Sequence, residues 1–261
     1  MPLERRHTAA GTLRDRWEEN AADFIAWARA PGHDSYWRFH RDQFLEIVPP
    51  PGRLTVDIGC GEGRLSRDLK ARGHHVVGID ASRTMVAHAR EADGSIEVHL
   101  ADAARLPLPD AVADLAIAFM SLQDVDDMPA AIAEAARVLA PGGRLCLAIV
   151  HPLNSAGRFV DDEPASRFVI EGSYLTPTRY EDTVERDGLA MTFASEHRPL
   201  AAYADALWRA GLLIEWLREP RVPDDAVRAP NDLRWQRVPL FLHIRAVRSD
   251  RRAPAHDGGA A

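Results

Sequence analysis

The sequence predicts an α/β fold built on a mostly parallel sheet. Two observations carry that expectation: short β-rich runs alternate with helix-period patterns from residue 53 to residue 150, and a glycine-rich turn separates the first run from the first helical pattern. A chain of 261 residues is long enough for one sizeable domain with a large core.

The elements are expected in the following order. Arg53 to Ile58 reads as a first strand, and Arg64 to Arg72 as the helix behind the glycine turn. His75 to Ile79 is a second strand, followed by a helix from Arg83 to Ala92 with Ser82 as N-cap. Ile96 to Leu100 and Ala113 to Ala118 are the third and fourth strands. Met128, Ile132, Ala135 and Leu139 then share one helix face; Pro141-Gly142-Gly143 closes that helix, and Arg144 to Val150 is the fifth strand. Leu200, Tyr203, Ala204, Leu207 and Trp208 form a later apolar helix face that stops at Gly211. Leu213 to Leu217 and Leu240 to Val247 complete the strands.

Two segments break the alternation. Residues 1–50 read as a helical cap, with Trp17, Phe24 and Ala28 at helical spacing. Residues 151–198 read as a lid-like insertion, in which Arg167 to Leu175 and Leu189 to Ser195 are expected to pair as antiparallel strands. The core domain then spans 51–248, and the Ala-, Gly- and Pro-rich tail over 249–261 is expected to be disordered.

Composition removes several function classes. No apolar run is long enough to cross a bilayer, and the N-terminus lacks the apolar centre of a signal peptide, so a cytoplasmic protein without membrane contact is expected. Cys60 and Cys146 are the only cysteines, too few for a disulfide framework or a cysteine-rich zinc site. Net charge is −7 with basic residues scattered among acidic ones, which argues against nucleic acid as a partner. Lys70 is the single lysine and falls on the polar side of a helix, which makes Schiff-base chemistry improbable.

The chemistry-bearing pattern is Val56-Asp57-Ile58-Gly59-Cys60-Gly61-Glu62-Gly63. Alternating glycines let backbone approach a ligand, and the helix behind them offers free N–H groups. Asp80 closes the second strand 17 residues after Gly63, where a carboxylate can accept from both hydroxyls of a ribose. Asp102-Ala103 follows the third strand, placing an acid where an adenine amino group would sit. Each acid also has a structural use: Asp80 as a helix cap, Asp102 as a turn cap. A nicotinamide dehydrogenase shares this logic, but its fingerprint is G-x-G-x-x-G, and here the spacing is G-x-G-x-G with Arg64 next.

Together, VDIGCGEGRLS, VVGIDAS, ADAARLPLPDAVADLAIAFMSLQDVDD and ARVLAPGGRLCLAIVHP resemble, in order, the motifs of class I S-adenosylmethionine (SAM) dependent methyltransferases, over roughly residues 52 to 152. The resemblance implies a Rossmann-like seven-stranded sheet of order 3-2-1-4-5-7-6 with strand 7 antiparallel. It implies SAM as cofactor and S-adenosylhomocysteine (SAH) as product. Asp57, Gly59, Cys60, Gly61 and Gly63 would surround the methionine part, and Asp80 the ribose. Ala81, Ser82 and Met85 would line the adenine, with Asp102 and Ala103 at its edge. Phe119, Met120, Ser121 and Leu122 would pass beneath the cofactor towards the substrate. A protein of this fold with non-methylating chemistry, such as a cyclase scaffold, or with a binding role, is the alternative.

Methyl transfer from a sulfonium leaves a neutral product, so no metal is required; donor and acceptor must be held in line, with a base in reach for some acceptors. His151, directly after the fifth strand, is a candidate base. His197, in SEHRPL, is a second, and resembles a histidine-arginine-proline motif of small bacterial SAM methyltransferases. Both residue types also serve as caps and loop anchors. Tyr36, in the aromatic stretch from Trp27 to Trp37, is the third candidate, for contact with the cofactor carboxylate or the substrate. Trp27 and Trp37 read as anchors of the N-terminal helices. The expected acceptor is a small molecule enclosed by the N-terminal helices and the 151–198 insertion; acceptor identity and oligomeric state are left open.

Overall fold

The computed structural model describes residues 4–7, as backbone, and residues 11–249. Strands are β1 (Glu4–His7), β2 (Thr55–Ile58), β3 (Val76–Asp80), β4 (Glu97–Leu100), β5 (Ala113–Phe119), β6 (Leu139–Val150), β7 (Gly157–Phe159), β8 (Phe168–Ile170), β9 (Thr178–Arg186), β10 (Leu189–His197), β11 (Leu212–Arg218) and β12 (Phe241–Arg248). Helices are α1 (Leu13–Glu19), α2 (Ala21–Arg29), α3 (Arg41–Leu45), α4 (Arg64–Ala71), α5 (Arg83–Ala92), α6 (Met128–Val138), α7 (Pro152–Ser155) and α8 (Leu200–Arg209), with a π-helical turn over Tyr36–His40.

Seven strands form one sheet in the order β11-β12-β6-β5-β2-β3-β4. Only β12 runs against its neighbours, pairing antiparallel with both β6 and β11. Numbered along the sheet-forming strands alone, this is the expected order 3-2-1-4-5-7-6. Both faces are covered, as a parallel sheet requires, and the period of two sorts the side chains. Ala116 and Ala118 of β5 and Leu145, Leu147 and Ile149 of β6 join α6 and α8 in one core. Leu115, Ile117, Phe119, Cys146 and Ala148 face the other way, onto Phe44, Leu65 and Leu69. α5 packs through Val86 and Ala89 against Ile96 and Val98.

Three expectations are corrected. The helix ends at Val138 and Leu139 is already extended, at φ −71° and ψ 138°; proline at 141 disfavours helix at the residue before it. Pro141-Gly142-Gly143 therefore bulges within β6, between the pairs Ala113–Leu139 and Leu115–Arg144. In the 151–198 segment, β10 pairs with β9 and not with 167–175. Asp187 and Gly188 both have positive φ, 50° and 78°, the signature of a tight two-residue hairpin that sets its own register. β8 pairs instead with β7. Finally, the N-terminal segment is not wholly helical: β1 adds to the hairpin, pairing antiparallel with β9.

α1 and α2 lie against this hairpin. Trp17 Nε1 donates to the Ala194 carbonyl at 2.9 Å, and Asn20 Nδ2 to that of Thr192 at 3.0 Å. Beyond Ser249, whose N–H donates to the Gly211 carbonyl, the tail expected to be disordered lies outside the described residues. Among the described residues, no helix is long and apolar enough to cross a membrane.

Candidate functional site

The glycine loop is tied into the sheet at both ends. Gly59 N and Cys60 N both donate to the Ile79 carbonyl, at 2.7 and 3.0 Å, and Gly61 N donates to Asp80 Oδ2 at 2.8 Å. Gly59, Gly61 and Gly63 have φ of +72°, +56° and +82°, which side-chain-bearing residues adopt only with strain. The three glycines do different things. A Cβ on Gly59 would sit 2.3 Å from Ser121 Cβ, so the turn after β5 and the loop touch through backbone and a short side chain. A Cβ on Gly61 would meet only Phe24 Cε1, at 4.0 Å, which leaves this stretch of backbone open. Gly63 starts α4, with Ala89 behind it.

Three carboxylates follow from strand ends. Asp80 accepts from Ser82 N through Oδ1 and from Gly61 N through Oδ2, both at 2.8 Å, and each oxygen keeps a lone pair. Burial raises its pKa, with the backbone donors at Ser82 and Gly61 acting in the opposite direction. Asp57 is buried beneath the loop and accepts from Ser66 Oγ at 2.6 Å; burial lifts its pKa to about 6. Asp102 accepts from Ala104 N at 2.8 Å, so its turn-capping use is real, and its other oxygen lies 3.8 Å from Arg14 Nη1 at a half-exposed site. Glu18 of α1 accepts from Ser82 Oγ at 2.5 Å and Thr84 Oγ1 at 2.9 Å. The cap is thereby fastened to the start of α5.

A cavity of about 480 Å³ opens over these groups. Asp57, Gly59, Cys60, Gly61, Asp80, Ala81 and Ser82 line it, as do Met85, Asp102, Ala103, Phe119, Met120 and Ser121. Gly63 and Leu122 do not: the first is the N-cap of α4, and the second is 2% exposed in the main core. The same cavity is lined by Trp17, Phe24 and Trp27 from the cap and Phe193 from β10, packed edge to face at 5.4 to 6.5 Å between centroids. Trp27, read from sequence as an anchor, is thus also a wall of the cavity, whereas Trp37 is 48% exposed.

The three candidate catalytic side chains are placed elsewhere. His151 caps α7, its Nδ1 accepting from Leu153 N at 3.0 Å while Nε2 meets Glu219 Oε1 at 2.9 Å. His197 is buried between Ser155 Oγ, 2.7 Å from Nδ1, and the Tyr174 carbonyl, 2.9 Å from Nε2. Tyr36 donates its hydroxyl to Asp68 Oδ2 at 2.7 Å. None of the three is among the cavity-lining residues. In each, a polar atom of a neighbouring loop or helix takes the group that was expected to face the ligand.

Sequence reasoning missed other polar groups that line the cavity. Gln123 and Asp124 line the cavity directly after β5, and Ser195 reaches Asp124 from β10 at 2.6 Å. SLQDVDD was the available signal, since an acid just past a strand end sits at the ligand crevice. The chain turns sharply there: Met120 has φ +55°, an unusual conformation for a side-chain-bearing residue and one that clusters at functional sites. His40 also lines the cavity, its Nε2 2.8 Å from Nε2 of His243. Burial holds both imidazoles well below their ordinary range, His243 at about 3, so the pair is neutral and one ring donates to the other.

A methyltransferase domain profile matches residues 56–147, the segment that carries the glycine loop and the three strand-end acids. A SAM-dependent methyltransferase from Mesorhizobium loti superimposes with a TM-score of 0.66 at 27% identity, covering 82% of this chain and 98% of that one. Residues 56–147 thus match a methyltransferase domain, and the chain has the fold of the class I SAM-dependent methyltransferases. A malonyl-[acyl-carrier protein] O-methyltransferase from Serratia marcescens is 36% identical over 53% of this chain and 58% of its own length. The ubiquinone/menaquinone biosynthesis C-methyltransferase UbiE of Caulobacter sp. strain K31 is 36% identical over 42% and 49%. The chain thus spans about half the length of the curated relatives it matches.

SAM is the methyl donor of the family, and the residues present fit it. Asp80 offers lone pairs on both oxygens for two hydroxyls, the backbone at Gly61 is open, and Asp57 and Asp80 supply negative charge for a cationic sulfonium.

Proposed function

We propose that this methyltransferase moves the methyl group of SAM to a small-molecule acceptor by in-line displacement, as a cytoplasmic enzyme. One observation carries the reading: the cavity that contains Asp57, the glycine loop and Asp80 is the same cavity that Asp124, Phe193 and the aromatic cap enclose. Donor and acceptor sites therefore share one walled space, which favours a small molecule over a macromolecular surface. Residues 151–198 and the N-terminal helices act as its cover. The chain supplies orientation, exclusion of water and a carboxylate-rich field; the sulfonium supplies the leaving group. The relatives named above differ in acceptor, and no acceptor carries over from them.

Calorimetric titration with SAH tests the cofactor half. Wild type is expected to bind, and Asp80→Ala to bind about a hundredfold more weakly, since two hydrogen bonds to a carboxylate are removed. Binding of NADH in place of SAH would overturn the assignment. Incubation of the chain with SAM and fractionated small-molecule extracts, with SAH release as readout, tests the transfer half. SAH binding without release from any fraction would favour a non-methylating role for the fold.

A further inference from the structure

The cavity wall just beyond β5 holds two acceptor groups side by side. Gln123 is 4% exposed, and its Nε2 donates to the Met120 carbonyl at 2.8 Å and to Asp124 Oδ2 at 3.1 Å. Its Oε1 is buried and has no hydrogen-bond partner. The amide cannot profitably be turned round, because Oε1 would then face a carbonyl and a carboxylate. An unpartnered buried acceptor costs about 1–3 kcal/mol, a cost that a ligand's donor would remove.

Asp124 adds the charged half. Its Oδ1 accepts from Ser195 Oγ at 2.6 Å, and its own N–H donates to the Ser121 carbonyl at 2.9 Å. Ser121 is the residue that packs against Gly59, so the acid stands one tight turn from the cofactor loop. Arg198, whose charge acts on Asp124, is committed to the carbonyls of Leu122 and Val125 and to Glu196. An anionic acceptor group would therefore meet a carboxylate and an amide oxygen here. Phe119, Phe193, Trp235 and Phe241 line the same cavity, and such rings suit a flat apolar body.

We infer that the methyl acceptor is a planar, apolar compound presenting a hydroxyl or N–H to Gln123 Oε1 and Asp124, and that Asp124 takes up its proton as the methyl group arrives. The inference rests on the methyltransferase reading above. A lone pair on the acceptor oxygen or nitrogen forms the new bond to the methyl carbon. The carbon–sulfur bond of SAM breaks with its electron pair left on sulfur, giving neutral SAH. The acceptor's proton passes to the Asp124 carboxylate and from there to water. Burial raises the Asp124 pKa well above the ordinary carboxylate range, against the pull of Ser195, Gln123 and Arg198, which makes it a stronger base than a solvated acid.

The test is calorimetric titration of the SAH-loaded full chain with 2-naphthol, 2-methoxynaphthalene and 2-naphthoate. The naphthol is expected to bind at least tenfold more tightly than the ether, which lacks the donor, and than the carboxylate, which is repelled. Asp124→Asn and Gln123→Leu should each cut that preference to threefold or less, with SAH affinity within twofold of wild type. The comparison among ligands needs no variant, so it stands even where a substitution harms folding. Equal binding of the ether, tighter binding of the carboxylate, or no saturable binding by any of the three would overturn the inference. Failure of SAH itself to bind would instead overturn the methyltransferase reading beneath it.

Discussion

Alanine at Gly59 should damage this protein through a contact that alanine at Gly61 lacks, although both glycines lie in the same loop with positive φ. Gly59 has φ +72°, and an added Cβ would lie 2.3 Å from Ser121 Cβ and 2.9 Å from its Oγ. Carbon atoms in contact prefer about 3.5–4.0 Å, and Ser121 Cβ is held directly by the backbone, so the chain itself must move. Left-handed strain costs alanine about 1–2 kcal/mol. Overpacking adds about 1–3 kcal/mol, and the Ser121 Oγ bond to the Ile58 carbonyl, 2.7 Å long, is worth about 1 kcal/mol more. The sum for Gly59→Ala is about 3–6 kcal/mol, a large share of the total stability of a typical domain. Gly61→Ala carries the strain alone, about 1–2 kcal/mol, because the nearest atom is 4.0 Å away. Urea unfolding of both variants measures the difference. Adding Ser121→Gly to Gly59→Ala removes the overlapping carbon and loses the Ser121 Oγ bond only once, and should recover about 2–4 kcal/mol relative to the sum of the single effects. Equal losses at the two glycines, or a double variant with purely additive losses, would refute the reasoning.

Three further outcomes are expected. Tyr36→Phe removes a 2.7 Å hydrogen bond to Asp68 and should lower stability by about 1–2 kcal/mol with SAH affinity within twofold of wild type; a tenfold loss of affinity would put the hydroxyl back in the cofactor site. Burial lifts the pKa of Asp57 from 3.8 to about 6, so between these values the folded chain keeps a proton that the unfolded chain has released. This acid therefore destabilises increasingly as pH rises from 4 to 6, by about 3 kcal/mol in all. The stability difference between wild type and Asp57→Asn, followed by urea unfolding, should fall by that amount over the window, and a flat difference would contradict it. His151→Gln and His197→Asn should each cost about 1 kcal/mol through lost loop and cap bonds, with the rate of SAH release unchanged at every pH from 6 to 9. A tenfold slower rate in a variant that melts normally would return that histidine to the chemistry.

Local patterns and tertiary placement divided the work along a physical line. The strand and helix order from 53 to 150 was legible because burial on both faces writes itself as near-continuous apolar strands between amphipathic helices. The glycine loop and Asp80 were legible for the same reason: a left-handed turn and a strand-end acid are properties of a few consecutive residues. The β9–β10 pairing was not, although Asp187-Gly188 carried its turn signal, because the competing run at 167–175 has similar β character and only the three-dimensional partner chooses between them.

The glycine loop, the strand-end acids and the family were determined by residues 52 to 152 alone, since they depend on spacing along one strand–turn–helix unit and its repeats. Which side chains face the cavity was decided only by the tertiary structure. His151, His197 and Tyr36 each have the right chemistry, but each satisfies a polar neighbour outside the cavity. Gln123 and Asp124 gain their place because β5 ends in a left-handed turn at Met120 and because Ser195 arrives from a hairpin 71 residues further on. A hydrogen bond between residues that far apart leaves no periodic trace in the sequence, and it is such bonds that select, among many titratable groups, the few left facing the cavity.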